Sequence, residues 1–142
     1  MTTTFTINGN HEDLSGNPIP YVRSTRAALW RPDGRRYAAW KGYVQKEFIR
    51  LLNRGFREIV KDGSVTATFD SNATKPIRIF GSHQARMDIK IFWKNGSHGD
   101  PDNIFKGIAD ALFVNDRTLD GSFESKIAED GKGRVDVAIR IN

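Results

Sequence analysis

The sequence predicts one α/β (α+β) domain over residues 1–142, in which a mixed β-sheet is covered by two α-helices. Three observations lead to this prediction. The chain has 142 residues, of which 38% are hydrophobic, and this length and composition suit one compact core. Two stretches have helical apolar spacing, and several β-branched or alternating stretches lie before, between and after them. The order of the elements does not predict which strands are neighbours.

The first half of the chain is predicted to contain a strand, a loop and a long helix. Residues Thr4 to Asn8 alternate as in a strand, and the polar stretch from His11 to Pro18 suits a loop. Prolines make the segment from Pro18 to Arg23 extended, because each disfavours helix at the residue before it. From Arg35 to Phe56 the spacing predicts an amphipathic helix that stops near Gly55. Its apolar positions are Tyr37, Trp40, Val44, Phe48, Leu51 and Leu52.

The middle of the chain is predicted to form strands. Val65 to Phe69 is β-branched and alternating, whereas Ile77 to Phe80 suits either a short strand or an irregular connection. The clearest strand runs from Met87 to Lys94. Its alternation places four large apolar side chains on one face. These are Met87, Ile89, Ile91 and Trp93.

The last third is predicted to contain a second helix and two closing strands. Pro101 to Phe113 has the spacing of an amphipathic helix. Strands are expected near Glu124 to Ala128 and from Val135 to Ile141, on either side of a turn at Asp130 to Gly133. This completes the order β, extended, α, β, β, α, β, β.

Composition restricts the classes of site and location. The chain contains no Cys, which excludes disulfides, thiolate zinc sites and Cys nucleophiles, so any metal must be held by oxygen or imidazole ligands. No apolar run approaches the roughly 18 residues of a membrane span, and the first residues lack the regions of a signal peptide. We therefore expect a cytoplasmic protein without a membrane partner.

Positive charge is concentrated in the N-terminal half. The chain has 22 Lys and Arg against 17 Asp and Glu, a formal net charge of +5. Ten of the basic residues lie between Arg23 and Arg57, where the acidic residues are Asp33 and Glu47. Such a distribution suits either a polyanionic partner or a solvated helix face. The leading candidates for contact with DNA phosphates are Arg23, Arg26, Arg35 and Arg36.

Ionisable side chains cluster around the start of the second predicted helix. Asp100 lies just before the helix, and Asp102, Lys106 and Asp110 follow at four-residue spacing. Asp116 comes after the helix and could supply a third carboxylate. Close carboxylates repel unless a cation lies between them, which favours Mg²⁺, with Mn²⁺ possible. The structural alternative is an Asp that caps the helix and ion pairs among the three helical residues.

The longer motif resembles a known family. Asp100 to Leu112 reads D-P-D-N-x-x-K-x-x-x-D-A-L and is followed by N-D-x-x-L, a pattern that closely resembles the core signature of the RusA family of Holliday junction resolvases. The segment from Gly16 to Arg26, which contains prolines and ends in basic residues, is similar to the looser N-terminal element of that family. The resemblance implies a RusA-like fold and a metal-dependent endodeoxyribonuclease.

The resemblance implies a catalytic or metal-binding role for each residue that matches the motif. It implies that Asp100, Asp102 and Asp116 ligate Mg²⁺ and that Lys106 acts beside them as a fourth catalytic residue. Asp110 is expected to orient Lys106 or to bond the helix end. The implied substrate is a four-way DNA junction, cut in two symmetry-related strands by a homodimer.

Two features of the sequence leave other functions open. The acidic pair of the family is represented here by Asn115 and Asp116, and the connection formed by Phe113 and Val114 is short. Asp120 is therefore a reserve ligand, and a nucleic-acid-binding module with weak or lost cleavage is an alternative. A nuclease for flaps or forks is another. His98, two residues before Asp100, could contact substrate or metal, although loop histidines are more commonly solvated.

Overall fold

The computed structural model describes residues 2–23, 25–53, 65–67, 79–81, 85–113 and 119–141. The described helices are α1 (Pro32–Asn53) and α2 (Pro101–Leu112), and a 3-10 turn covers Ala27–Trp30. The described strands are β1 (Thr2–Asn8), β2 (Val65–Ala67), β3 (Ile79–Gly81), β4 (Ala85–Trp93), β5 (Asp120–Ile127) and β6 (Arg134–Ile141).

The centre of the fold is a four-stranded mixed sheet in the order β1-β6-β4-β5. β6 runs antiparallel to both β1 and β4, whereas β5 runs parallel to β4. A parallel neighbour requires a crossover, and α2 provides it between β4 and β5. The turn that contains Asp130 joins β5 to β6 across β4, so these closing strands are not adjacent. β2 and β3 form a separate antiparallel pair.

One face of the sheet is buried under the two helices. The alternation predicted for β4 is confirmed, because Met87, Ile89, Ile91 and Trp93 are each at most 2% exposed. Both helices add large apolar side chains to the same core. From α1 these are Tyr37, Trp40, Val44 and Phe48, and from α2 they are Ile104, Ile108, Ala111 and Leu112.

The predicted fold class is confirmed, with adjusted element bounds. α1 begins at Pro32, three residues before the predicted start, because proline suits the first turn of a helix. The predicted stop at Gly55 lies outside the described residues. β5 begins at Asp120, four residues before the predicted start. Its residues are mostly exposed on both faces, so they lack the alternation that identifies a half-buried strand.

No helix in the described ranges has both the length and the apolar character needed to cross a bilayer.

Candidate active site

The start of α2 holds the two carboxylates that the motif predicts. Asp100 occupies the N-cap position in an extended conformation, and its carbonyl accepts hydrogen bonds from the Asn103 and Ile104 amides at 3.1 and 3.2 Å. Its side chain makes no capping hydrogen bond. Asp102 lies in the first turn, and both residues are exposed. The backbone of Asp100 therefore begins the helix while its carboxylate stays available.

Within the described ranges, neither carboxylate forms a hydrogen bond or an ion pair. As the structural alternative also expects, Asp100 occupies the N-cap position and Asp102 the first turn, but Asp100 makes no side-chain capping hydrogen bond and Asp102 makes no ion pair with Lys106. The partial positive charge at a helix N-terminus attracts negatively charged groups. Two carboxylate groups so close in sequence offer the oxygen donors that a hard divalent cation prefers. The residues present fit Mg²⁺ as two members of a ligand set.

Lys106 follows Asp102 by one turn and points toward the N-terminal proline segment. Its Nζ lies 4.7 Å from the centre of the Tyr21 ring. The Tyr21 amide in turn donates to the Asn103 carbonyl at 3.0 Å. The structure thus places the segment from Pro18 to Arg23 along the first turns of α2. The two parts of the sequence that resemble one family are in direct contact.

Asp110 contacts the first helix. Its carboxylate accepts hydrogen bonds from the Tyr37 hydroxyl at 2.6 Å and the Lys41 ammonium at 3.0 Å. Both partners lie on α1, and the expected roles of orienting Lys106 or bonding the helix end stay predictions. Each four-residue step turns a helix by about 40°, so Asp110 is rotated roughly 80° from Asp102. That rotation aims Asp110 at α1, and it joins the two helices.

The third acidic ligand is not described. Asp116 lies outside the described residues, so its predicted role stays a prediction. Asp120, the reserve ligand, is bonded to Arg86 at 3.2 Å and to the Gly121 amide at 2.9 Å. β5 begins beside Arg86, at the end of β4 far from the start of α2. In the described part of the chain, no three Asp, Glu or His side chains group as metal ligands.

The four arginines that are predicted to contact phosphates lie on the surface. Arg23, Arg26, Arg35 and Arg36 are all exposed. Arg36 lines a depression of about 400 Å³ together with Glu12, His98 and Gly99, the residue before Asp100. A phosphate in this depression would meet the guanidinium of Arg36 and also the carboxylate of Glu12. The structure connects Arg36 with the candidate site more directly than the other three arginines.

His98 has a fixed orientation that the sequence did not predict. Its ring stacks on Trp93 with a centroid separation of 4.0 Å and an interplanar angle of 6°. Its Nδ1 lies 2.7 Å from the Gly99 carbonyl, which can only accept a hydrogen bond, so the proton lies on Nδ1. Because the ring is exposed, Nε2 is left for contacts in the depression. The sequence contains one indication of this stacking, because the aromatic residue Trp93 ends β4 shortly before His98.

A second ionic cluster lies on the open face of the sheet. Asp88 accepts hydrogen bonds from Ser122 at 2.7 Å and from Arg86 at 3.0 Å. Burial alone would raise the pKa of Asp88, but these hydrogen bonds and the charge of Arg86 outweigh it and lower the pKa. The guanidinium of Arg86 shows the reciprocal effect, since the bond to Asp88 raises its pKa. The negative charge of Asp88 is therefore already balanced by Arg86, whereas the carboxylates of Asp100 and Asp102 have no such partner among the described residues.

No protein-family model and no curated protein matches this chain. The likeness to RusA resolvases therefore depends on the motif from Asp100 to Asp116 and on the proline segment that contacts it.

Proposed function

We propose that the chain is a magnesium-dependent, structure-selective DNA endonuclease that resolves Holliday junctions in recombination and repair. The observation that supports this most is the pair of exposed, unpaired carboxylates, Asp100 and Asp102, at the start of α2. Lys106 lies one turn further, and Arg36 borders the adjoining depression. The arrangement offers metal ligands and phosphate contacts on one side of the molecule.

In this proposal Asp100 and Asp102 hold the cation, and Asp116 is the expected third ligand. The bound Mg²⁺, or Mn²⁺, would supply charge neutralisation and an activated water for phosphodiester hydrolysis. The Lys106 ammonium is positioned to contact a non-bridging phosphate oxygen and to reduce its developing charge. The contact with Tyr21 limits the range of positions that this long side chain adopts.

DNA binding is assigned to the basic surface of the N-terminal half. Arg23, Arg26, Arg35 and Arg36 would contact phosphates without reading bases, which gives sequence-tolerant and salt-dependent affinity. Trp30, which is 83% exposed, can stack on an unpaired base at a branch point. Paired cleavage of a symmetric junction requires two active sites, so a twofold homodimer is part of the proposal. A cytoplasmic location is proposed with it.

The second candidate is a nucleic-acid-binding module with the same fold and weak or lost cleavage. It is favoured by Asn115, which stands where the family has an acidic residue. A flap or fork nuclease would use the same chemistry on a different branched substrate.

The proposal is tested by cleavage of a synthetic four-way junction in Mg²⁺. We expect Asp102→Asn to lower the rate at least about a hundredfold, because a metal ligand is lost, and to leave junction binding in EDTA unchanged. Asp33→Asn is the matched control, since Asp33 also lies in the first turn of a helix. It should cleave within about twofold of wild type.

The outcomes separate the candidates. If wild type and Asp102→Asn bind the junction but are equally inert at every Mg²⁺ and Mn²⁺ concentration, the chain is a binding module. If a fork or flap is cut as fast as the junction in the same salt, the resolvase assignment is wrong. Paired, symmetric nicks in the junction are the result that the proposal predicts.

A further inference from the structure

Two tyrosines from outside the acidic motif pack together beside the residue that follows Lys106. The rings of Tyr21 and Tyr37 meet edge to face, with centroids 5.2 Å apart and an interplanar angle of 71°. Both lie close to Gly107, where an added Cβ would be 3.2 Å from the Tyr37 ring and 3.6 Å from the Tyr21 amide nitrogen. The absence of a side chain at Gly107 therefore lets the two tyrosines approach α2 closely.

Tyr37 is held in place by burial and by its hydroxyl group. The residue is 2% exposed, and its hydroxyl donates a hydrogen bond to the Asp110 carboxylate at 2.6 Å. The same carboxylate accepts a hydrogen bond from the Lys41 ammonium at 3.0 Å. Hydrogen bonds to charged groups are stronger than those between neutral groups. Tyr37 is therefore a firm support for a ring that packs against it.

Tyr21 connects this support to Lys106. Its amide donates to the Asn103 carbonyl at 3.0 Å, which holds its backbone against the first turn of α2. Lys106 Nζ lies 4.7 Å from the centre of the Tyr21 ring, within the range in which an ammonium is attracted to an aromatic face. Because a lysine side chain is long and flexible, this attraction favours those rotamers that keep the ammonium over the ring.

We infer that Tyr21 and Tyr37 are positioning residues for Lys106, and that Asp110 contributes by holding Tyr37. The inference rests on the proposed function, because it concerns the ammonium that would contact the phosphate. The two tyrosines place that ammonium and do not act on the reacting atoms themselves. A group that is already in position before the substrate binds loses less freedom in the transition state.

The position of Lys106 is tested without a nuclease assay, by NMR of the lysine side chains. Reductive methylation with isotopically labelled formaldehyde labels each lysine and keeps its positive charge, and the signal that is missing from Lys106→Arg belongs to Lys106. An aromatic face shifts nearby nuclei upfield, so the Lys106 signal of the wild type should lie upfield of unperturbed lysine signals. It should lose this shift in Tyr21→Leu and keep it in Tyr21→Phe.

Two further variants complete the NMR experiment. Tyr43 also lies on α1, where its ring packs against Trp40, and Tyr43→Leu is the matched control that should leave the Lys106 signal unchanged. Gly107→Ala forces the Tyr37 ring to move by a few tenths of an ångström, so it should reduce the upfield shift without removing either ring. It keeps the test decisive if circular dichroism shows that Tyr21→Leu does not fold.

The part played by Asp110 is tested with Tyr37→Phe. This variant keeps both rings and removes the hydrogen bond to the carboxylate. We expect the Lys106 signal to lie between its positions in the wild type and in Tyr21→Leu, because the Tyr37 ring loses one of its constraints. An unchanged signal would overturn the contribution of Asp110.

Junction cleavage separates a positioning role from a merely structural one. Tyr21→Leu should lower kcat by roughly tenfold and change KM by less than about twofold, and Tyr21→Phe should restore kcat to within about twofold of wild type. If Tyr21 acts through Lys106, Tyr21→Leu should cause no further loss in the residual activity of Lys106→Met. An equal loss in that background would overturn the positioning role.

Failure of this inference differs from failure of the proposed function. A wild-type Lys106 signal without an upfield shift, or one that Tyr21→Leu does not move, overturns the positioning role. Neither result alters Mg²⁺-dependent cleavage or its loss in Asp102→Asn. An inert protein whose Lys106 signal shows the expected shifts would overturn the nuclease and the catalytic purpose of the contact, but not the position of the ammonium.

Discussion

Four ionisable residues of one short motif have different surroundings in the structure. The carboxylates of Asp100 and Asp102 have no described hydrogen bond, Lys106 lies over Tyr21, and the Asp110 carboxylate is bonded to α1. A carboxylate that is held by a hydroxyl and an ammonium is poorly suited to ligate a metal, whereas an exposed carboxylate without partners is well suited. The motif therefore combines a candidate site at its start with a helix-to-helix connection at its end.

The connection made by Asp110 leads to a prediction about stability. Tyr37→Phe removes a 2.6 Å hydrogen bond to a carboxylate and should lower the free energy of unfolding by about 1.5 kcal/mol. Tyr43→Phe is the control, because it removes a more exposed bond to the Asn8 carbonyl on the same helix. We expect it to cost about 0.5 kcal/mol. Urea unfolding measures both values, and equal costs would contradict the proposed role of Asp110.

At the residue scale, the sequence predicts where a residue lies along a helix better than it predicts which distant residues its side chain contacts. The motif places Asp100 before the helix and Asp102 in its first turn, and both positions are confirmed. The contact of Lys106 with Tyr21 joins residues far apart in the chain, so no local spacing indicates it. The contacts of Asp110 with Tyr37 and Lys41 likewise join residues far apart in the chain, and the rotation of the helix face at each four-residue step turns Asp110 away from Asp102.

At the scale of elements, burial decides how much the sequence predicts. β4 is predicted well because one of its faces is buried and the other is more exposed. Apolar residues therefore recur at every second position of its sequence. β5 lies at the sheet edge and is exposed on both faces, so its first half carries no such period.

Strand order is the part of the fold that the sequence does not predict. β1 pairs with β6, and Thr2 lies opposite Arg140 from the other end of the chain. β6 follows β5 in sequence but pairs with β4 instead. Such pairings depend on how the helices and the parallel crossover pack. Local apolar spacing contains no information about them.

At the scale of the whole molecule, the net charge of +5 predicts salt-dependent DNA binding. Arg36→Gln should reduce the slope of log affinity against log salt by about one, because one phosphate contact is lost. Lys132→Gln is the control, since this exposed residue lies in the turn between β5 and β6. Fluorescence anisotropy with a labelled junction in EDTA measures the slope. An equal change in both variants would place Arg36 outside the DNA interface.

The most direct test of the metal centre is anomalous diffraction from crystals of the protein soaked in Mn²⁺. We predict an anomalous peak with carboxylate oxygens of Asp100 and Asp102 roughly 2.0–2.6 Å from the ion. Crystals of Asp102→Asn soaked in the same way should lose this peak. Crystals of the wild type that show Mn²⁺ only at other positions, or none near the start of α2 at saturating concentration, would contradict a metal-dependent nuclease at this site.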